Sequence, residues 1–365
     1  MPMNKFLIDH IDPLGQGVFK QNEQVYFIPK TLPGESGEFK VDKSSKGVNF
    51  ATCTKLDTKS PQRIESDCKF FDKCNGCHFL HTSYENELQF KIISYQKILS
   101  YLTTDLPKIN IISNHQRFSY RNRIQLHYNL KKNKLGFKYK GSQEILPINQ
   151  CLIASKNIQA EITKLNHQFF WKTLLPKKAR PVGHLELYDD GELVHLTWNQ
   201  KYASLGFSQV NSVVNQLLLD QIEDEFSDNN LSILDLFGGS GNLVNHLVAN
   251  KKLSVDLYPN EKPATGQFHL NLYDEDALKV FKQNNSDKFD TVFIDPPRSG
   301  FKQINDWAIE INPKQILYVS CHPATMVRDI KLLLENYEIK SIYLIEFFPG
   351  TYHFEGAIHL NKKLN

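Results

Sequence analysis

The stretch Gln315-Ile316-Leu317-Tyr318-Val319, running into Ser320-Cys321-His322-Pro323, constrains the fold more than any other part of the chain. A short continuous apolar run rich in β-branched residues reads as a strand buried on both faces, the kind found in parallel sheets. The polar residues and the proline end it. Cys321 therefore stands at the carboxyl end of the strand, the edge of an open α/β sheet where ligands collect. A cysteine on a rigid strand end is a candidate nucleophile, although most free cysteines are small buried hydrophobes. Comparable runs occur at Ser232-Ile233-Leu234-Asp235-Leu236-Phe237, Leu253-Ser254-Val255-Asp256, Thr291-Val292-Phe293-Ile294-Asp295 and Ser341-Ile342-Tyr343-Leu344-Ile345. A helix over 209–226 precedes them and helical stretches separate several. The alternation predicts a doubly wound α/β domain from about residue 205.

Within that domain, Asp235, Asp256, Asp295 and Cys321 all end strands and so share one sheet edge. Leu234-Asp235-Leu236-Phe237-Gly238-Gly239-Ser240-Gly241-Asn242 reads as a strand, a glycine-rich turn and a helix. Its glycines let a ligand approach the backbone. No Lys-Ser/Thr pair follows and the regular dinucleotide spacing is missing, so an adenosyl ligand without phosphates fits better than a nucleotide. Asp256 is placed to accept ribose hydroxyls. The prolines of Asp295-Pro296-Pro297-Arg298 stiffen a turn that can hold a carboxylate against a planar base.

The first 60 residues or so alternate short apolar segments with turns (Phe6-Leu7-Ile8, Gly15-Gln16-Gly17-Val18-Phe19, Gln24-Val25-Tyr26-Phe27-Ile28, Leu32-Pro33-Gly34-Glu35), which predicts a small β-barrel. Lys20, Lys30, Lys40, Lys43 and Lys46 would give it basic loops, as in an oligonucleotide-binding fold. The net charge of +3 permits a polyanionic partner without demanding one. Beyond a linker at Ser60-Pro61, a helix is expected over 85–101. Period-2 segments at 123–128, 134–139, 184–188 and 193–198 then predict an antiparallel sheet, the last pair turning at Asp189-Asp190-Gly191.

The chain has six cysteines. Cys68, Cys74 and Cys77 are bunched as Cys-x5-Cys-x2-Cys, and Cys151 is a plausible distant fourth ligand. Four thiolates suit tetrahedral zinc or an iron–sulfur cluster, and the residue chemistry does not choose between them. Cys53 stands apart as structural. A bunched cysteine set fits a reducing compartment better than a secreted scaffold. Met1-Pro2-Met3-Asn4-Lys5-Phe6 lacks a long apolar core and no run is long enough to span a bilayer. The expectation is a cytoplasmic protein, without a membrane partner.

Taken together, Phe207-Ser208-Gln209-Val210-Asn211, the Asp235–Asn242 turn, Asp295-Pro296-Pro297-Arg298, Ser320-Cys321-His322-Pro323-Ala324-Thr325 with Arg328-Asp329, and Phe348-Pro349-Gly350-Thr351-Tyr352-His353-Phe354-Glu355 resemble the RNA uracil-5-methyltransferase family, in its iron–sulfur branch acting on 23S ribosomal RNA. The resemblance covers nearly the whole chain. It implies a TRAM-like, OB-fold-like RNA-binding barrel at 1–62, with Gly15-Gln16-Gly17 and Leu32-Pro33-Gly34-Glu35 in their usual places. It further implies a central antiparallel α+β domain with the cysteine site at 63–204, and a Rossmann-like class I methyltransferase domain at 205–365. Cys321 would be the nucleophile and Glu355 the general base. Gln209, Phe237, Asn242, Asp256, Asn271 and Asp295 would line an S-adenosylmethionine pocket. Cys68, Cys74, Cys77 and Cys151 would carry a [4Fe–4S] cluster, and the protein would act as a monomer on RNA.

The chemistry needs these residue types. Carbon 5 of uracil is too weak a nucleophile to take a methyl group until a thiolate adds to carbon 6. A base must then remove the carbon-5 proton so that the cysteine can leave. One departure concerns the segment 257–270, about a dozen residues shorter than the family usually carries between Asp256 and Asn271, where the adenine is normally walled. A zinc deaminase would also combine His353-Phe354-Glu355 with a Cys-x-x-Cys pair, but here that pair lies upstream and lacks its proline. An RNA cytosine-5-methyltransferase would carry a cysteine beside Asp-Pro-Pro, where this chain has Arg298. Transfer RNA remains an alternative substrate, and an RNA-binding protein with a decayed transferase domain is the non-enzymatic alternative.

Overall fold

The computed structural model describes residues 5–103, 105–139, 142–228, 230–257 and 266–364. The start of the chain, on which the expectation of no leader rests, and the centre of the shortened 257–270 segment lie outside the described residues. The chain forms two compact units: Met1–Ser94, His115–Ser212 and Phe348–His353 make the first, and Tyr95–Asn114, Val213–Phe347 and Phe354–Asn365 the second.

The first unit contains two sheets. Strands β1 (Lys5–Leu7), β2 (His10–Ile11), β3 (Gln16–Gln21), β4 (Gln24–Pro29), β5 (Ser36–Ser45) and β6 (Val48–Thr58) form a six-stranded sheet in the order β1-β5-β6-β4-β3-β2. Phe6, Ile8, Phe19, Ile28, Phe39 and Ala51 bury together against it. The long β5–β6 hairpin turns at Lys46 and Gly47, both at positive φ, the two-residue turn whose twist matches the flanking strands. Three register shifts along it bend the sheet. Leu32-Pro33-Gly34-Glu35 is a turn rather than a strand. Buried Glu35 accepts from Leu32 N (2.9 Å) and pairs with Arg63 there.

Helix α1 (Tyr84–Leu99) follows, and the next strand, β7 (Ile109–Ile112), belongs to the third sheet. The second sheet takes β8 (Arg123–Asn129), β9 (Lys134–Lys138), β10 (Ile145–Pro147), β11 (Val182–Asp189) and β12 (Val194–Trp198) in the antiparallel order β10-β9-β8-β11-β12. Helix α2 (Lys156–Asn166), capped by Ser155, shares its core with Leu126, Leu185, Leu187 and Trp171 through Ile158, Ile162 and Leu165.

The second unit is built on an eight-stranded sheet with helices α3 (Ser212–Glu225), α4 (Ala277–Asn284), α5 (Ile304–Ile311) and α6 (Pro323–Leu333). Its strands β13 (Ser232–Leu236), β14 (Lys251–Asp256), β15 (Gly266–His269), β16 (Thr291–Ile294), β17 (Gln315–Ser320), β18 (Tyr337–Ile345) and β19 (Glu355–Lys362) lie in the order β15-β14-β13-β16-β17-β19-β18-β7. β15 through β17 pair in parallel, while β19 runs antiparallel between β17 and β18. The order reverses between β13 and β16, which opens a crevice outside their carboxyl ends. Because β19 is reversed, its first residue, Glu355, lies at that same edge.

One local expectation fails. After the glycine turn the chain makes successive turns through 238–247 instead of a helix. Gly241 sits at φ +77° and the Asn245 side chain bonds Ser240 O (2.8 Å). Asn-Leu-Val-Asn-His-Leu-Val is a weak helix former whose polar side chains compete for the backbone. Among the described residues no helix is long and apolar enough to cross a membrane.

Candidate functional site

Sheet register brings Cys321 and Glu355 to one strand end. Ser320, the last residue of β17, pairs with Gly356, so Cys321 follows that pair on one strand and Glu355 precedes it on the other. Residues beside a pair at the end of an antiparallel ladder lie within reach of one another. Asp295 follows β16 next door, its N–H reaching Leu236 O at 3.3 Å. Burial pushes the Glu355 carboxyl up, and Asp295 adds to this; burial pushes Asp295 up as well. Two neighbouring carboxyls that raise one another in this way titrate as a pair rather than singly.

The half-buried Cys321 thiol is also pushed up, first by burial and then by Glu355 and Asp295. Arg298 opposes this through its positive charge. A thiol, a proton-accepting carboxyl pair and one guanidinium are the parts needed to generate and discharge a thiolate within one site. The Arg298 role was not read from the sequence, where Asp-Pro-Pro-Arg stood out for its prolines.

Along the same edge, the glycine turn is drawn close to β13 and β14. A Cβ on Gly238 would lie 2.2 Å from Asp235 Oδ2 and 2.3 Å from Ser254 Oγ. Both Asp235 oxygens and Ser254 Oγ are buried without a hydrogen-bond partner among the described residues. Burial, then Asp295 and Asp256, hold the Asp235 carboxyl well above its usual range. Asp256 Oδ2 accepts from Gly239 N at 3.1 Å, which ties the turn to the end of β14.

Phe237, held at φ +61°, packs against Tyr273 and Phe301 with ring centroids 5.4 and 5.0 Å away. Tyr273 and Phe301 were missed in the sequence because isolated aromatics carry no signal of which edge they reach. The Asn242 side chain pairs both ways with Asn215 (3.1 and 3.0 Å). Asn271 turns back on its own loop, bonding Asp274 Oδ1 (2.6 Å) and Tyr273 N (3.2 Å). Of the expected cofactor residues, Gln209 belongs to the first unit and the other five to the second.

In the first unit, Cys68, Cys74, Cys77 and Cys151 line one cavity with apolar walls that include Phe70, Leu80 and Ile153. None is in a disulfide. Burial raises the Cys77 and Cys151 thiols, Cys151 to about 11, and the neighbouring cysteines add to it. Among the described residues no group of three or more His, Cys, Asp or Glu side chains is arranged to hold a single metal ion. Lys30, expected in a basic RNA-facing loop, instead turns inward. Its Nζ donates to Phe71 O and to Cys74 O (2.9 Å) and lies 4.5 Å from the Phe71 ring centroid. A lysine beside a loop rich in carbonyls finds better acceptors there than water offers, which sequence spacing does not reveal.

The segment Phe348–His353 is fastened to the same unit. Gly350 O accepts from His78 N (2.8 Å) and Phe79 N (3.1 Å), next to Cys77 in the chain. Fully buried Glu87 accepts from Gly350 N (2.6 Å), Lys91 (2.9 Å) and Arg117 (2.7 Å). A buried carboxyl with this many donors, two of them charged, has its hydrogen-bonding capacity met away from water.

Residues 276–363 match the family model described as tRNA (uracil-5-)-methyltransferase. A 23S rRNA (uracil(1939)-C(5))-methyltransferase, RlmD, of Marinomonas sp. (strain MWYL1) is 29% identical over 99% of this chain and 96% of its own length. An RNA methyltransferase of Leptospira interrogans is 28% identical over 96% of this chain and 92% of its own. Among solved structures, the Pyrococcus abyssi tRNA (uracil-54, C5)-methyltransferase in complex with S-adenosyl-L-homocysteine superposes with a TM-score of 0.70 at 22% identity, covering 98% of this chain and all of that one. The likeness establishes a class I methyltransferase fold.

Proposed function

We propose that this chain, which belongs to the RNA uracil-5-methyltransferase family, methylates carbon 5 of a uridine in 23S ribosomal RNA, at the position corresponding to the 1939 named for its relatives. The observation that carries the reaction is the register of β17 and β19, which brings Cys321 and Glu355 to one strand end beside Asp295 and Arg298.

In this reading the Cys321 proton passes by way of the carboxyl pair to solvent, which leaves Glu355 ionised, and the Arg298 charge favours the sulfur as an anion. The sulfur bonds to carbon 6 of the uracil, and the carbon 5–carbon 6 π electrons become an enolate. S-adenosylmethionine supplies an electrophilic methyl group for carbon 5. Glu355 then removes the carbon-5 proton, the sulfur–carbon 6 bond breaks, and the thiolate returns. Within the second unit the donor's pocket is assigned to Phe237, Asn242, Asp256, Asn271 and Asp295. The support is the Gly238 cradle, which a Cβ would fill, beside the orphaned Asp235 carboxyl.

We further assign 1–62 to a TRAM-like RNA arm, 63–204 to a central domain and 205–365 to the transferase, acting as a monomer in the cytoplasm. A [4Fe–4S] cluster on Cys68, Cys74, Cys77 and Cys151 is supported by four thiols lining one apolar cavity. Four thiolates are the ligand set such a cluster takes, and they would hold it away from water.

The test is to map 5-methyluridine in ribosomal and transfer RNA from cells with and without the gene. Loss from 23S RNA is expected; loss from transfer RNA alone would establish the alternative substrate, and no loss anywhere would refute the function. Cys321→Ala should abolish both product and the covalent adduct with 5-fluorouridine RNA. Persistent product in that variant would refute the nucleophile.

A further inference from the structure

Asp329 lies on α6, two turns beyond Cys321, and its side chain is completely buried. Its Oδ2 accepts from Phe301 N (2.6 Å) and Tyr318 Oη (2.7 Å). Its Oδ1 takes Arg328 Nε (2.8 Å), and the same guanidinium reaches Ser299 O (2.9 Å). Thr325 Oγ1, on the first turn of α6, lies between His322 O (2.9 Å) and Arg298 O (3.2 Å) and shares its one donor between them. The Arg298–Phe301 turn is thus sewn to the helix that starts beside the thiol. Gly300, at φ +72°, permits the fit, because a Cβ there would sit 2.4 Å from Asp329 Oδ2.

A buried carboxylate with three donors costs stability unless each bond is made, so this one is held in a single geometry. What it fixes is the backbone that carries Arg298. The charged groups facing Cys321 are Glu355 on β19, and Asp295 and Arg298 on the turn after β16. Arg298 is the cation of that set and favours the thiolate, so its placement governs how readily the thiol ionises.

We propose that Asp329 is the positioning residue for the nucleophile: it clamps the Arg298–Phe301 turn to α6 and so keeps the Arg298 guanidinium on Cys321. The inference rests on Cys321 being the reactive thiol of the proposed methyl transfer. It assigns to the Arg-Asp pair that follows the cysteine motif a task at the sulfur, exerted through a neighbouring loop.

The test is the pH dependence of Cys321 alkylation by iodoacetamide, followed on the Cys321 peptide by mass spectrometry in the full-length protein. Asp329→Ala and Arg298→Gln should each move the midpoint to higher pH. Each should slow alkylation at neutral pH by about three- to tenfold, the effect of weakening one neighbouring opposite charge. Asp329→Ala combined with Arg298→Gln should be no worse than Arg298→Gln alone, because one acts through the other. Additive shifts, or an unshifted midpoint in folded Asp329→Ala, overturn the clamp. If Asp329→Ala fails to fold, Asp329→Asn carries the test. It keeps an acceptor for Phe301 N but loses the charge that orders Arg328, so a smaller shift in the same direction is expected. An unchanged midpoint in Asp329→Asn overturns the proposal. Alkylation needs no RNA, so a wild type that alkylates normally yet makes no 5-methyluridine refutes the proposed function, whereas unshifted variants refute the clamp alone.

Discussion

Glu355→Gln should make Cys321 more reactive while making the enzyme slower. Glu355 begins β19 beside the end of β17, and its ionised form is one of the groups that push the Cys321 thiol up. Two unit charges a few ångströms apart repel by a few kcal/mol at an effective dielectric near 20, and solvent at the open strand edge reduces this. Glutamine keeps the shape and removes the charge, so the Cys321 alkylation midpoint should fall. The rate just below the wild-type midpoint should rise about threefold, since the thiolate fraction grows while each thiolate becomes a weaker nucleophile. Turnover should move the other way. Losing a general base typically costs about 10²- to 10⁴-fold, at the step that frees carbon 5 of its proton. The methylated RNA should therefore remain attached as a band in denaturing gels. A midpoint that stays or rises in Glu355→Gln would refute the neighbouring placement of the two side chains. Normal turnover would refute Glu355 as the base.

Anaerobically purified protein should be brown, and Cys68→Ser, Cys74→Ser or Cys77→Ser should lose colour and iron together; a colourless protein with one stoichiometric zinc would sink the cluster. Deleting the first 60 residues or so should weaken RNA binding far more than S-adenosylmethionine binding, and the lost affinity should be the salt-sensitive part; equal losses would make the sheet a folding element. Acid should destabilise the protein through Glu225. Burial pushes its carboxyl up, but bonds from His359, Ser341 and Tyr343 outweigh this and hold it at about 2. A depressed carboxyl stabilises the fold above its unfolded pKa of about 4.5 and loses that contribution as pH falls toward 2. The loss is worth up to about 3 kcal/mol, and His359→Gln should flatten the slope of stability in that window, read by urea titration; an unchanged slope would remove Glu225 from the account.

The sequence by itself determined the parts that depend on local chemistry. Buried-strand runs and their terminal residues were enough to put Asp235, Asp256, Asp295 and Cys321 on one edge, because a parallel sheet points all its carboxyl ends the same way. The reaction was named through the resemblance of the motifs to a family, because short runs such as Ser320-Cys321-His322-Pro323 and Asp295-Pro296-Pro297-Arg298 keep their order along the chain.

Only the tertiary structure decided which groups face one another. Glu355 reaches the carboxyl edge because β19 is inserted in reverse between β17 and β18, a pairing between segments that local pattern does not encode. The turn that carries Arg298 is held against α6 by a buried aspartate and a threonine of that helix. Lys30 leaves the basic face for the cysteine loop, and Glu87 gathers Lys91, Arg117 and Gly350 from distant parts of the sequence. Each of these is a buried charge or strand partner whose place is fixed by what must be satisfied away from water, and that requirement exists only once the chain has folded.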